Sequence, residues 1–275
     1  MPRRSFPALA VLALIAGCGT DTAASPSAAP SPKQERAHMI QVAKADCMKG
    51  KGFRYVPYVA RPEISEQDMK TFDYAAAKAE RSKYGFRIFS SFVYPDKSPD
   101  DEADPNVAII VDLSPAQLGA YKRAGESCDT QAIRQVTGKN VKSYEDWATQ
   151  ASEMVHRLWK RELDGDPKLV ELASAMADCL TGKGYRVTST KPVAMSEWAA
   201  QMVQSELQGG RKTMTPNGEG PVFKPINISP DEARRYLDKE IKVALDDLEC
   251  GKQFYPVIVP KSNEVEQRVN EEFGI

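Results

Sequence analysis

Histidine is nearly absent from this chain: His38 and His156 are the only two in 275 residues. A Ser-His-Asp arrangement would therefore rest on His38, close to a Ser/Ala/Pro-rich segment, or on His156, beside Arg157 on an amphipathic stretch. No Gly-x-Ser-x-Gly or His-Glu-x-x-His occurs. Gly50-Lys51-Gly52 and Gly138-Lys139-Asn140 lack the spacing and the Ser or Thr after Lys that a phosphate loop needs. Cys-x-x-Cys is missing as well, so a zinc site has no usual framework, and neither a metal nor another cofactor is expected. A basic excess is also lacking, with 37 Lys and Arg against 38 Asp and Glu, which argues against a nucleic-acid partner. Beyond the first residues no apolar run approaches the ~20 residues of a membrane-spanning helix.

What is present begins with an address. Arg3 and Arg4 form a charged start, Ala8 to Ala16 is a short apolar run, and Ile15-Ala16-Gly17-Cys18 follows. That tetrapeptide resembles the bacterial lipobox, in which the thiol carries acyl chains such as palmitate and the chain is cleaved just before it. Arg3-Arg4-Ser5-Phe6 faintly resembles a twin-arginine export signal, with Pro2 and Pro7 departing from it. Gly19 to Lys33 is almost all Ser, Ala, Pro and Thr, too polar and too poor in apolar residues to fold. It reads as a tether of roughly 50 Å at full stretch. The expectation is a protein held to the cell membrane through Cys18 and facing the extracytoplasmic side.

Cys18 apart, four cysteines remain: Cys47, Cys128, Cys179 and Cys250. An even number in an exported chain reads as disulfides, with three possible connectivities. An internal repeat chooses among them. Ala45-Asp46-Cys47-Met48 with Gly52-Phe53-Arg54 recurs as Ala177-Asp178-Cys179-Leu180 with Gly184-Tyr185-Arg186, while Cys128 and Cys250 each end a segment that opens Ser-Pro. Cys47 with Cys128, and Cys179 with Cys250, are the expected bonds.

The fold class expected is α+β: two tandem, helix-rich halves, each with a small sheet and one disulfide. Residues 1–18 are the signal, 19–33 the tether, 34–140 the first half, 141–167 a connecting helix and 168–275 the second half. Periodicity predicts helices at Gln34 to Lys49 and Lys168 to Thr181, stopped by the glycines that follow, then at Ser65 to Arg81 and Ser196 to Gln208. Ser114-Pro115-Ala116-Gln117 and Ser229-Pro230-Asp231-Glu232 are capping boxes that open a third helix in each half. Strands are expected at Phe53 to Val59, Tyr185 to Thr190, Val107 to Val111 and Val222 to Ile228. Val141 to Leu163 is the strongest amphipathic helix, with Trp147, Ala151, Val155 and Trp159 on its apolar stripe, and Asn263 to Phe273 is its shorter echo.

The residues that best suit binding are repeated cations. Lys51 with Arg54, and Lys183 with Arg186, flank turns whose backbone N–H groups would add to an anion or partner site, such as phosphates or carboxylates of a wall polymer. Asp100, Asp101, Glu102 and Asp104 lack the spacing of a calcium loop, and Asp246, Asp247 and Glu249 are too close in sequence to converge on one helix.

Cys47-Met48-x-x-x-Gly52-Phe53, its partner Cys179-Leu180-x-x-x-Gly184-Tyr185, the triplet Tyr84-Gly85-Phe86 and the lipobox together resemble uncharacterised exported lipoproteins of actinobacteria. Leu180 departs from Met, and the second half has no clear Tyr-Gly-Phe. The resemblance implies an envelope location and a disulfide-closed α+β unit, with no activity attached. The function expected is therefore a non-enzymatic ligand-binding or envelope-complex accessory lipoprotein; the alternative is an envelope hydrolase working on a wall or lipid substrate through carboxylates. The lipobox yields a direct expectation: Cys18→Ala moves the protein from the membrane to the soluble fraction on cell fractionation, and continued retention would show another anchor.

Overall fold

Proline sets the starts of the elements. Pro32, Pro105, Pro115, Pro167, Pro192 and Pro230 each open a helix, where a fixed φ helps and the missing N–H costs nothing. The computed structural model describes residues 32–60, 70–94, 104–208, 212–214, 221–223 and 228–275. The lipobox, Cys18, nearly all of the tether, Asp100, Asp101 and Glu102 lie outside the described residues. Among the described residues ten α-helices run in order: α1 Pro32–Gly50, α2 Tyr74–Tyr84, α3 Ser90–Val93, α4 Pro105–Val111, α5 Pro115–Thr137, α6 Tyr144–Glu162, α7 Pro167–Gly182, α8 Pro192–Gln208, α9 Pro230–Cys250 and α10 Tyr255–Phe273. Asp73, Asp104, Ser114, Ser143, Asp166 and Ser229 cap the N-termini of α2, α4, α5, α6, α7 and α9 with their side chains. At Ser114 the backbone N–H donates in return to Gln117 Oε1 at 3.0 Å, which completes the capping box.

The fold is helical, which corrects the α+β expectation. Among the described residues the only strand pairing is a hairpin of β1 Lys212–Met214 with β2 Pro221–Phe223, in antiparallel register Thr213 to Val222. The stretch from 53 to 60 has no regular secondary structure and finds no strand partner among the described residues. Instead the buried Asn106 side chain stands in for one: its Oδ1 accepts from Val56 N–H at 2.8 Å and its Nδ2 donates to Val56 C=O at 2.9 Å. The stretch from 185 to 191 is likewise unpaired, with Trp198 Nε1 donating to Arg186 C=O. The β-branched run Val107 to Val111 belongs to α4, because Asp104 caps it and Pro105 starts it. Cap chemistry outweighs side-chain propensity there.

Both disulfides have the connectivity drawn from the repeat, Cys47–Cys128 and Cys179–Cys250, each with Cα atoms 5.5 Å apart. They bind α1 to α5 and α7 to α9, and by loop entropy each stabilises the fold by about 4 kcal/mol. Bond positions differ within the pair: α9 ends at Cys250, whereas α5 runs on from Cys128 to Thr137. The repeat extends to α6 and α10, both 19 residues long, which pack on each other. Sequence periodicity finds only the last part of α10, since Pro256 and Pro260 mask its first turns.

Residues 31–275 form one compact unit. Its largest core joins α7, α8, α9 and α10 through Leu169, Met176, Leu180, Met195, Leu248, Phe254 and Ile258. A second core, with Ile40, Ile133, Trp147, Val269 and Phe273, joins α1, α5, α6 and α10. A third, smaller one surrounds the first disulfide with Met48, Tyr121, Ala124 and Cys128. In the second half α8 packs on its own α7 and α9, but α2 and α3 of the first half also pack on α9. The two halves therefore share a core.

Candidate functional site

The repeated turns are built by their sequence to close on themselves. After Cys47 the Phe53 N–H donates to Met48 C=O at 2.9 Å and the Gly52 N–H to Lys49 C=O at 3.0 Å, with Gly52 at φ +82°. After Cys179 the Tyr185 N–H donates to Leu180 C=O at 3.0 Å and the Gly184 N–H to Thr181 C=O at 2.9 Å, with Gly184 at φ +89°. These are paired Schellman stops, and they commit the N–H groups of Lys51, Gly52 and Phe53, and of Lys183, Gly184 and Tyr185, to the ends of their own helices rather than to an anion. Phe53 then packs edge-on to Tyr121, and Tyr185 edge-on to Trp198. The repeated motif thus carries a disulfide, a helix stop and an aromatic anchor.

The four cations at these turns have different surroundings. Lys51, Arg54 and Arg186 are exposed. Lys183 is held by two carboxylates of α9, 3.0 Å from Asp246 and 2.8 Å from Glu249. Asp246 also takes a bond from Lys242 at 2.7 Å and from the Tyr185 hydroxyl at 2.7 Å. Burial opposes its ionisation, but the bonds from Lys242, Tyr185 and Lys183 outweigh this and bring its pKa down to about 2. Those same carboxylates, Glu249 first, raise Lys183 to about 12.

Two acidic residues that sequence reasoning passed over prove central. Glu240 and Asp247 lie two turns apart on one face of α9 and are 1% and 0% exposed. Glu240 sits in a nest of main-chain donors from the segment after α2: its Oε1 accepts from Phe86 N–H at 2.6 Å and Ile88 N–H at 3.0 Å, and its Oε2 from Phe89 N–H at 3.0 Å. The segment bends sharply to present these groups, with positive φ at Gly85 and Arg87. Gly85 adopts φ +61°, ψ −126°, and a Cβ there would lie 2.6 Å from Glu240 Cγ. The Tyr84-Gly85-Phe86 triplet is thus the seat of a buried carboxylate.

Asp247 is bound from α2. Arg81 Nη1 donates to Asp247 Oδ2 at 2.6 Å and to Ala244 C=O at 3.1 Å, and the Tyr255 hydroxyl donates to the same Oδ2 at 2.5 Å. The guanidinium lies over the rings of Phe86 and Tyr255, each at 5.1 Å. Burial pushes the Asp247 carboxyl up despite Arg81 and Tyr255, and Oδ1 is buried with no partner among the described residues. Gly251 leaves room for the Tyr255 ring, which a Cβ would meet at 2.3 Å.

Neither carboxylate is placed to meet a substrate. Both are shielded, and their bonds go to the chain itself. The histidines add no base near them: His38 is exposed, and His156 Nδ1 lies 2.8 Å from the Ser152 carbonyl of its own helix. Of the acidic loop, Asp104 acts as the cap of α4. No group of three or more His, Cys, Asp or Glu able to hold a metal occurs among the described residues.

Two measurements check this geometry. Gly85→Ala adds a side chain against Glu240 at a glycine-only backbone angle, so urea unfolding should show a loss of about 3 kcal/mol. Asp246, with a pKa below its ordinary 3.8, contributes stability that is present above that value and lost as pH falls toward 2. Asp246→Asn should therefore flatten the decline in melting temperature between these limits; an unchanged slope would separate Asp246 from the acid limb. No family model, curated protein sequence or solved structure matches the chain.

Proposed function

We propose that this chain is an extracytoplasmic lipoprotein, tethered to the cell membrane through Cys18, that works without catalysis as a ligand-binding or envelope-complex accessory protein. The lipobox, the polar tether and four cysteines committed to disulfides support the location, since such bonds persist in oxidising compartments. The observation that carries the non-enzymatic reading is the use of the unusual carboxylates. Glu240 and Asp247 hold α2 and its following segment onto α9, and Asp246 lies between two lysines and a tyrosine. A hydrolase acting through paired carboxylates needs two that face a substrate, one of them poised as an acid. Glu240 and Asp247 instead hold chain segments together.

Cross-linking in native membranes followed by purification of the lipidated protein should capture a defined envelope partner or wall polymer. The same preparation should not turn over wall or lipid substrates. Turnover that disappears in Glu240→Gln or Asp247→Asn, with melting temperature retained, would replace this reading with the hydrolase.

A further inference from the structure

We propose that the outer face of α5 carries a phosphate-binding site formed by Arg134 and Lys142 with Ser127, Thr130 and Gln131. These five residues line a groove of about 460 Å³. Ser127, Thr130, Gln131 and Arg134 follow helical spacing along one stripe of α5, and Lys142 arrives from the connection to α6. Most of the stripe lies on the part of α5 that continues beyond Cys128. The second half has no equivalent, because α9 stops at Cys250. The site is thus an addition made by one half alone.

The strongest argument is the orientation of Arg134. Its Nε donates to Val141 C=O at 2.7 Å, and Val141 is fully buried, so the guanidinium plane is tied to a fixed loop. No carboxylate forms an ion pair with Arg134 or with the Lys142 side chain among the described residues. The nearby acids are otherwise engaged: Asp129 pairs with Lys44 at 2.8 Å, and Asp146 accepts from the Lys142 backbone N–H at 2.7 Å and from Gln150. Glu126 is exposed one turn away, and its carbonyl takes the Thr130 hydroxyl at 3.0 Å, a bond that the hydroxyl exchanges to meet a ligand.

A fixed arginine fork provides two parallel donors, and the lysine and hydroxyls approach from other directions. That spread of donors suits the several oxygens of a phosphate better than a flat carboxylate. Phosphate at an envelope surface comes either as a lipid head group or as a soluble ester. The site rests on the ligand-binding reading above and gives it a chemistry.

The test is titration of the purified lipidated protein with inorganic phosphate and with glycerol 3-phosphate, followed by calorimetry. Saturable binding is expected, weakened about tenfold in Arg134→Gln and in Lys142→Gln, the loss of one charged hydrogen bond. Lys142→Gln alters an exposed side chain and keeps the fold intact should Arg134→Gln disturb the Val141 loop. Flotation with phosphatidylglycerol against phosphatidylcholine vesicles separates the sources: preference for the former, competed by glycerol 3-phosphate, assigns a head group, and no preference assigns a soluble phosphate. Absence of saturable binding, or equal binding in wild type and both variants, overturns the site. If cross-linking still captures a partner in that case, the accessory role stands and the phosphate site alone falls.

Discussion

The grip of α9 on the segment around α2 is the interaction on which the rest of the fold depends. An ionised side chain in a core is costly unless its bonds are met, and α9 carries two acidic ones in its apolar stripe. Glu240 meets its need with three main-chain N–H groups, whereas Asp247 meets it at Oδ2 alone, from Arg81 and Tyr255, and its Oδ1 is buried with no partner among the described residues. The partners come from α2, from the strap that follows it at residues 85–89, and from Tyr255 at the start of α10, so the registry of α2 against α9 is fixed by polar geometry. Apolar packing then adds Phe72, Tyr74, Phe86 and Phe89 around it. Even packed on α9, α2 itself has no fully buried residue, so polar geometry rather than burial of its own side chains locates it.

Much of this was readable in the chain. The helix starts are written as Ser-Pro and Asp-Pro, the stops as Gly after a cysteine turn, and the repeat chose the disulfide pairing among three. The α+β reading fails because a short β-branched run makes a strand only where a partner strand lies beside it. Val107 to Val111 follows a strong cap, and the stretch after Phe53 meets an asparagine side chain at Val56. For the first, Asp104-Pro105 is a local helix start that outweighs the β-branched run; for the second, nothing local reveals Asn106, 50 residues on.

The acidic pair was legible in principle. Ala233, Leu237, Glu240, Ala244 and Asp247 follow alternating steps of four and three, so Glu240 and Asp247 occupy positions an apolar stripe reserves for burial. Sequence adjacency to Asp246 and Glu249 hid this, because neighbouring acids on a helix point to different sides. Asp246 and Glu249 serve Lys183 at the surface, and Asp247 faces the core. The α5 groove had no such signal, since its residues are ordinary surface types until Arg134 is seen tied to the Val141 carbonyl.

On the export proposed above, with the N-terminus crossing first, the grip also bears on assembly: Arg81 and the main chain at Phe86 reach the oxidising side before α9. The Cys47–Cys128 bond lies in the small core of Met48, Tyr121 and Ala124, which the first half supplies by itself, although α1 and α5 also pack on the later α10. The strap inside that closed loop has no seat until Glu240 and Asp247 arrive more than 150 residues behind Arg81. During vectorial translocation the first half is therefore a covalently closed ring with an unsettled apolar arm, and it is completed only by the far end of its own polypeptide.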